Sequence, residues 1–436
     1  MLDRLSSAFA KLRKRAASII GPRWRPVTVR PHWRPVILLL AVQLLGGMAL
    51  SPQRAFMPVY LGERLGYTAV AVSVYIAAGR VMGVASSVFG GMLSDVLGRK
   101  RTLVLGILGF AFSSLAFLVP VPWLVISLWA VSDLAAGFYT LGGQSYLIDA
   151  AGSERLGMFS AFYYWGLTVG GVLSNPVAGF ILDSQGFGLF GAALLVLSLA
   201  TALGTMVFLP RLRGGRSGET ASWKRLLSGY SDIVRRPMVA ALALLRFLPT
   251  CYWGMATVLI PLLINRLTGT KTAVALYAML SQVMASLAQL MIGRAADRWG
   301  PRTPTLTALG VLVASTAGLA GFSAHLWSFY TFGVLAACAA WSLSALMPRL
   351  VIEVTAPDER GRVLGVVHTF WNVGMVVGSL AGGMLVELAI GLPFLASAVL
   401  NLATILLAIS FFRSAGKGRF VLGQSTGKRS SLQEVE

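Results

Sequence analysis

The chain has 436 residues, of which 56% are hydrophobic and 12% are charged, and its mean hydropathy is +0.74. A soluble globular domain carries roughly 25% charged residues, so this composition excludes an ordinary water-soluble fold. The formal net charge of +21 would suit a nucleic-acid-binding protein, but the placement of the basic residues along the chain argues against that function.

The first 34 residues are basic and carry apolar residues at helical spacing, among them Leu2, Leu5, Phe9 and Leu12. This pattern predicts an amphipathic helix (residues 1–34) that lies on the inner leaflet and binds anionic lipids. A signal peptide is not expected, because basic residues interrupt every apolar stretch of this region.

Twelve apolar segments follow, each of about 20 residues and therefore long enough to cross a bilayer as a helix. They lie at 36–61, 70–93, 102–120, 123–148, 157–182, 188–210, 238–264, 272–293, 303–322, 326–349, 362–387 and 391–413. The sequence therefore predicts an all-α membrane protein with two six-helix bundles, residues 35–210 and 238–413. A linker (211–237) joins the bundles, and a tail (414–436) ends the chain.

The basic residues set the predicted orientation. Three of the 37 Lys and Arg fall within apolar segments (Arg54, Arg80 and Arg246), three fall in loops on one side (Arg64, Arg266 and Lys271), and the other 31 fall on the opposite side. By the positive-inside rule, that richer side is cytoplasmic. Both termini and the linker are expected there, facing anionic lipids, and no nucleic-acid partner is expected.

A ten-residue motif occurs twice, at Gly91–Lys100 and at Gly293–Arg302, with the copies 202 residues apart. Each copy has Gly, then Asp four residues later, Gly three after that, and a basic residue two further on. Pro58 and Pro261 repeat at nearly the same offset. The chain is therefore predicted to consist of two similar halves, which in a membrane protein is typical of a transporter that rocks one half against the other.

Residues 36–413 resemble the major facilitator superfamily, and the first copy of the motif matches that family's signature G-x-L-x-D-x-x-G-R-K. The resemblance implies twelve helices around a central cavity, alternating access, and a cytoplasmic gate. In that gate Asp95 would face the start of segment 11 and Arg99 would pair with Asp149, while a plain topology-setting loop is the alternative interpretation. The expected gate residues are Gly91, Asp95, Gly98, Arg99, Lys100, Asp149 and, mirrored in the second half, Asp297, Arg302, Glu353 and Arg360.

Two family patterns are broken. Asp133 stands four residues before Gly137, where the family usually carries Arg, and Asn175 replaces the second Gly of the antiporter motif in segment 5. Both departures weaken the transfer of a drug/proton antiport mechanism, while leaving the predicted fold untouched.

Ionisable residues at membrane depth cost roughly 2.5–3.5 kcal/mol on insertion scales and usually serve function. Four occur here: Arg54, Arg80, Asp133 and Arg246. Asp133 is expected to pair with Arg54 or Arg80, either as a structural ion pair or as a site of proton exchange and substrate binding. Arg246 has no acid nearby in sequence, which indicates an anionic ligand or a side chain that snorkels to the cytoplasm.

Polar and aromatic residues in the second half complete the predicted cavity, although helix packing is an alternative role for each of them. They are Tyr252, Trp253, Gln282, Trp341, Trp371 and Asn372. Charges from the first half and aromatic and amide groups from the second would suit an amphiphilic ligand.

The sequence therefore predicts a proton-coupled secondary transporter of a small anionic or amphiphilic solute; the alternatives are a multidrug efflux antiporter and a lipid or lipid-linked sugar flippase. No nucleotide-binding loop G-x-x-x-x-G-K-[ST] is present and no nucleophile–base pair is visible, so an enzyme is not expected. No cofactor, metal site or disulfide is expected from Cys251 and Cys338. A monomer in a bacterial inner membrane is the expected form.

Overall fold

The computed structural model describes residues 33–151, 156–212, 235–355 and 359–430. For residues 87–96, 156–157, 361–362 and 415–430 it describes the backbone alone. The predicted amphipathic segment therefore lies almost wholly outside the described residues, as does most of the linker and the end of the tail.

The first half contains α1 (Trp33–Glu63), α2 (Ala69–Leu97), α3 (Arg99–Ala116), α4 (Pro122–Ala151) and a helical run Leu156–Phe208. This run breaks at Gly186, where φ is 74° and ψ is −172°, and we call residues 156–185 α5 and residues 187–208 α6. The second half contains α7 (Pro237–Thr268), α8 (Lys271–Trp299), α9 (Arg302–Phe322), α10 (Leu326–Val354, with a π-helical turn at Phe329–Gly333), α11 (Arg360–Leu388) and α12 (Leu392–Ser430).

Within the described ranges, ten helices are long and apolar enough to cross a membrane, with α5 and α6 counted as one. The helix α3 is not among the ten, since it opens with Arg99, Lys100 and Arg101. These helices are compatible with the twelve predicted segments, and the predicted all-α membrane fold is confirmed. The last apolar span, Leu392–Ser414, agrees with the predicted segment 391–413, and its helix α12 continues beyond that span to Ser430.

The repeated motif ends in a glycine turn in both halves. Gly98 follows α2 with φ 88°, and Gly300 follows α8 with φ 76°. Side chains with a Cβ rarely adopt this backbone conformation, so glycine permits the sharp passage into the next helix. The same local chemistry therefore reverses the chain at equivalent places.

Helices pack closely where glycines remove side chains. A Cβ on Gly47 of α1 would overlap the carbonyl oxygen of Leu167 on α5, and a Cβ on Gly378 of α11 would overlap that of Cys251 on α7. Small residues allow such close backbone approach between helices in a membrane. The pairs α1–α5 and α7–α11 are thus equivalent close helix contacts, one in each half.

The halves meet along α2 with α11 and along α5 with α8. At one end of the molecule, which we call the closed end, Asp183 of α5 accepts hydrogen bonds from the backbone N–H groups of Lys271 (2.7 Å) and Thr272 (2.8 Å) at the start of α8. Glu387 of α11 accepts one from the N–H of Ala69 (2.8 Å) at the start of α2. We call the opposite end, where α6 ends and α7 begins, the linker end.

Candidate functional site

A cavity of about 530 Å³ lies between the halves and is lined by residues of α1, α2, α4, α5, α7, α8, α10 and α11. Most of the residues expected at a central site reach it. These are Arg54, Arg80, Asp133, Trp253, Gln282, Trp341, Trp371 and Asn372.

Arg54 of α1 and Asp133 of α4 face each other in the cavity. The distance from Arg54 Nη2 to Asp133 Oδ1 is 3.9 Å, and the side chains are 55% and 15% exposed, respectively. This is a loose ion pair rather than a short charge-assisted hydrogen bond. Both groups can therefore contact a ligand without first breaking a tight contact between them.

Arg80 of α2 makes different contacts from its neighbour Arg54. Its Nη1 donates to the carbonyl oxygens of Gly254 (3.1 Å) and Met375 (2.9 Å), and its Nη2 donates to Thr257 Oγ1 (2.6 Å). These acceptors belong to α7 and α11. Of the two partners expected for Asp133, Arg54 forms the described ion pair, while Arg80 links the two halves.

The second half supplies an aromatic wall. The rings of Trp253 and Trp341 meet edge to face at 6.0 Å, and those of His368 and Trp371 stack at 5.3 Å. These rings give the wall flat apolar surfaces with few polar atoms.

Gln282 of α8 makes a contact between the halves. Its Nε2 donates to Ser51 Oγ of α1 at 2.7 Å.

Arg246 lies in a smaller side pocket of about 360 Å³, which shares Trp253, Trp341 and Trp371 with the main cavity. Its Nη1 donates to Ser344 Oγ at 2.6 Å, and its Cζ lies 5.9 Å from the centre of the Trp371 ring. Arg246 therefore lines this side pocket rather than the central cavity where it was expected, and both alternatives for its role stay predictions.

Tyr252 lines neither cavity, which corrects the prediction for that residue. It is 1% exposed and belongs to the apolar core. Successive helical residues point about 100° apart, so the neighbouring Trp253 faces the cavity while Tyr252 faces away. The sequence interpretation also missed Ser51 and Trp129, which line the cavity; nothing in the sequence distinguishes these two from the other Ser and Trp residues of the first half.

The motif residues lie at the linker end. Arg99 forms an ion pair with Asp149 and donates to the Ser145 carbonyl oxygen at 2.9 Å. In the second half, Asp297 pairs with Arg349 at 3.7 Å. The side chain of Asp95 and the surroundings of Gly91 lie outside the part of the chain that the structure describes.

Other expected gate contacts are untested. The pairing of Arg302 with Glu353 stays a prediction, as does the gate role of the whole set. Lys100 Nζ donates to the carbonyl oxygen of Met206 at 2.7 Å, within its own half. Near the predicted gate residue Arg360, Glu359 accepts two hydrogen bonds from Arg236, at 2.5 and 3.0 Å.

Two helical halves that enclose a central cavity with charges at membrane depth define a multi-pass membrane transporter. The sequence profile of the Major Facilitator Superfamily matches residues 39–267 and 242–434, and the chain belongs to this family.

Relatives and solved structures agree with that assignment. The chain is 24% identical to tetracycline resistance protein class H of Pasteurella multocida over 185 residues, which is 42% of this chain and only 46% of that protein. It is 22% identical to multidrug resistance protein MdtH of Aeromonas hydrophila over 364 residues, 80% of this chain and 88% of that protein. The crystal structure of the nucleoside transporter NupG matches with a TM-score of 0.69 at 16% identity, covering 87% and 98% of the two chains, which shows the shared fold.

Proposed function

We propose that this transporter exports amphiphilic aromatic compounds in exchange for protons, and that the proton and the substrate compete for Asp133. The relatives' names, multidrug resistance and tetracycline resistance, support export as the direction of transport. Among the sequence predictions efflux is an alternative rather than the first choice, because Asp133 stands where the family usually carries Arg.

The observation that carries the proposal is the position of Asp133. Its carboxylate lines the cavity, with a loose ion pair to Arg54 at 3.9 Å. One carboxylate can hold a proton or accept a hydrogen bond from a donor or cation on the substrate, but it cannot do both well. Mutually exclusive binding at one group is the condition for exchange of substrate against protons.

The substrate class follows from the wall opposite Asp133. Trp253, Trp341 and Trp371 present ring faces and edges to the cavity, and such surfaces favour aromatic or extended apolar bodies. A positively charged group on the substrate would also be attracted to the indole faces.

A second candidate is cotransport of an organic anion, supported by the 55% exposure of Arg54. Protonation of Asp133 would release Arg54, which would then bind an anion more strongly. Proton and substrate would move in the same direction. The sign of the coupling therefore separates the two candidates.

In this proposal the closed end faces away from the cytoplasm and the linker end faces the cytoplasm, supported by the distribution of Lys and Arg. The protein functions as a monomer in the inner membrane, and residues 1–34 contact anionic lipids.

The test uses purified protein in liposomes with ethidium, an aromatic cation, and a pH-sensitive dye inside. Export coupled to protons predicts that ethidium movement drives protons the opposite way. Asp133→Asn should reduce this proton flux by about tenfold or more, while ethidium–ethidium exchange continues. Asp232→Asn, at an acid of the linker (211–237) outside the predicted membrane segments, is the matched control.

Proton flux in the same direction as an organic anion would contradict exchange against protons and support the second candidate, anion cotransport. Full proton coupling in Asp133→Asn would remove Asp133 from the mechanism under either candidate.

A further inference from the structure

The side pocket around Arg246 is lined mainly by helices of the second half, with Tyr164 of α5 from the first half. Arg246 lies on α7, Ser344 on α10 and Trp371 on α11. Ser344 Oγ accepts from Arg246 Nη1 at 2.6 Å and donates to the Ala340 carbonyl oxygen at 3.1 Å. The guanidinium is thereby oriented through one of its five N–H donors, and the others remain for a ligand.

The charge of Arg246 is not balanced within the pocket. Its lining residues include no Asp or Glu, and the ion pairs between described residues do not involve Arg246. A cation at membrane depth without a counter-charge is costly. An anionic ligand would therefore gain both the hydrogen bonds and the missing charge compensation.

The walls of the pocket select the shape of that anion. Trp371 lies against the guanidinium, and Trp253 and Trp341 line both the side pocket and the main cavity. A guanidinium binds planar oxyanions through two parallel hydrogen bonds, while the indole rings accept an aromatic body.

We propose that the pocket around Arg246 is a second binding subsite, which takes the carboxylate or similar planar anionic end of an aromatic compound. It is separate from the Asp133 and Arg54 site and does not require proton exchange. If the proposed function holds, substrates that carry a donor or cation at one end and an acid at the other would use both subsites; this last step alone rests on that function.

Equilibrium binding of 1-naphthoate to the full chain in lipid nanodiscs tests the subsite, with naphthalene-1-carboxamide as the uncharged analogue of the same shape. Arg246→Gln should weaken naphthoate binding by about tenfold or more, because a charge-assisted bidentate contact is lost. Binding of the carboxamide should change by less than about threefold. Arg246→Lys should fall between, since it keeps the charge but loses the planar fork.

Arg298→Gln is the matched control, because it removes an arginine that lies 5.7 Å from the centre of a tryptophan ring, Trp299, but lines neither cavity, and naphthoate affinity should change by less than about threefold. Ser344→Ala provides a milder variant should Arg246→Gln fold poorly, and it should weaken naphthoate binding severalfold through loss of orientation. Unchanged naphthoate affinity in both pocket variants, or equal losses for naphthoate and carboxamide, would overturn the subsite. Binding is measured without a pH gradient, so that result would leave proton-coupled export through Asp133 standing.

Discussion

The two ends of the molecule are held by different kinds of contact. At the closed end, Asp183 and Glu387 bind backbone N–H groups of the opposite half, and Glu63 pairs with Lys271 across the halves at 2.8 Å. The ion pairs that the structure describes at the linker end join helices of the same half, as Arg99–Asp149 and Asp297–Arg349 do. Separating the halves therefore breaks the first set and leaves the second intact.

The closed-end contacts are duplicated like the chain itself. Glu387 lies 204 residues after Asp183, and Lys271 lies 202 residues after Ala69. Each acid sits at the end of α5 or α11 and caps the start of the facing helix, α8 or α2. The start of a helix carries partial positive charge and free N–H groups, so a carboxylate there is favourable. The repeat thus places an equivalent carboxylate cap at each of the two interfaces between the halves, and we call these two caps the latches.

Loss of the Arg80 contacts between the halves should shift the conformational equilibrium more than any other change considered below. Arg80→Gln removes three hydrogen bonds to α7 and α11, and hydrogen bonds from charged groups contribute about 1.5–3 kcal/mol each. We expect the state open at the present closed end to gain population by about a hundredfold or more. Spin-label distances between Gln185→Cys and Ala324→Cys, in a background with both native cysteines replaced by Ser, measure that opening.

Arg54→Gln is the control for charge, since Arg54 also lines the cavity but its described ion pair lies within its own half. The distance distribution between the two spin labels in Arg54→Gln should match that of the labelled parent protein. A distribution that is unchanged in Arg80→Gln would show that Arg80 does not hold the halves together.

Removing the two carboxylate caps should give a smaller shift. In the double variant Asp183→Ala, Glu387→Ala, each loss is expected to cost about 1 kcal/mol, so the equilibrium should move by roughly 30-fold at most. The same pair of labels reports the change, and each single variant should produce about half of it in free-energy terms. A double variant no different from either single variant would contradict two independent latches.

An ion pair at the linker end should matter least. Asp297 and Arg349 are 78% and 47% exposed at a distance of 3.7 Å, and exposed pairs contribute about 0–1 kcal/mol. Asp297→Asn should therefore leave both the label distances and the thermal unfolding midpoint almost unchanged. A large shift would mean that within-half pairs also set the conformation, and the contrast between the two ends would fail.

Much of the fold was predictable because membrane burial constrains the sequence directly. Apolar runs indicate the membrane-spanning segments to within a few residues, although the helix α12 continues past its apolar span, and the repeated motif indicates the two halves. The residues of the candidate site were only partly predictable. The energetic cost of charge in a membrane identifies Asp133 and Arg54 as site residues. Periodicity does not say which face of a helix meets a cavity, so the sequence places Tyr252 there wrongly and does not indicate Trp129.

The sequence by itself determined the class of protein, the number of halves and the scarce charges that its membrane segments must accommodate, since lipid forbids unpaired backbone groups and penalises charge. Only the tertiary structure decided which charge meets which partner. Arg54 and Arg80 look alike along the chain, yet one faces Asp133 across the cavity and the other donates to backbone carbonyls of the opposite half. That choice depends on distances between helices remote in sequence, which no local pattern encodes.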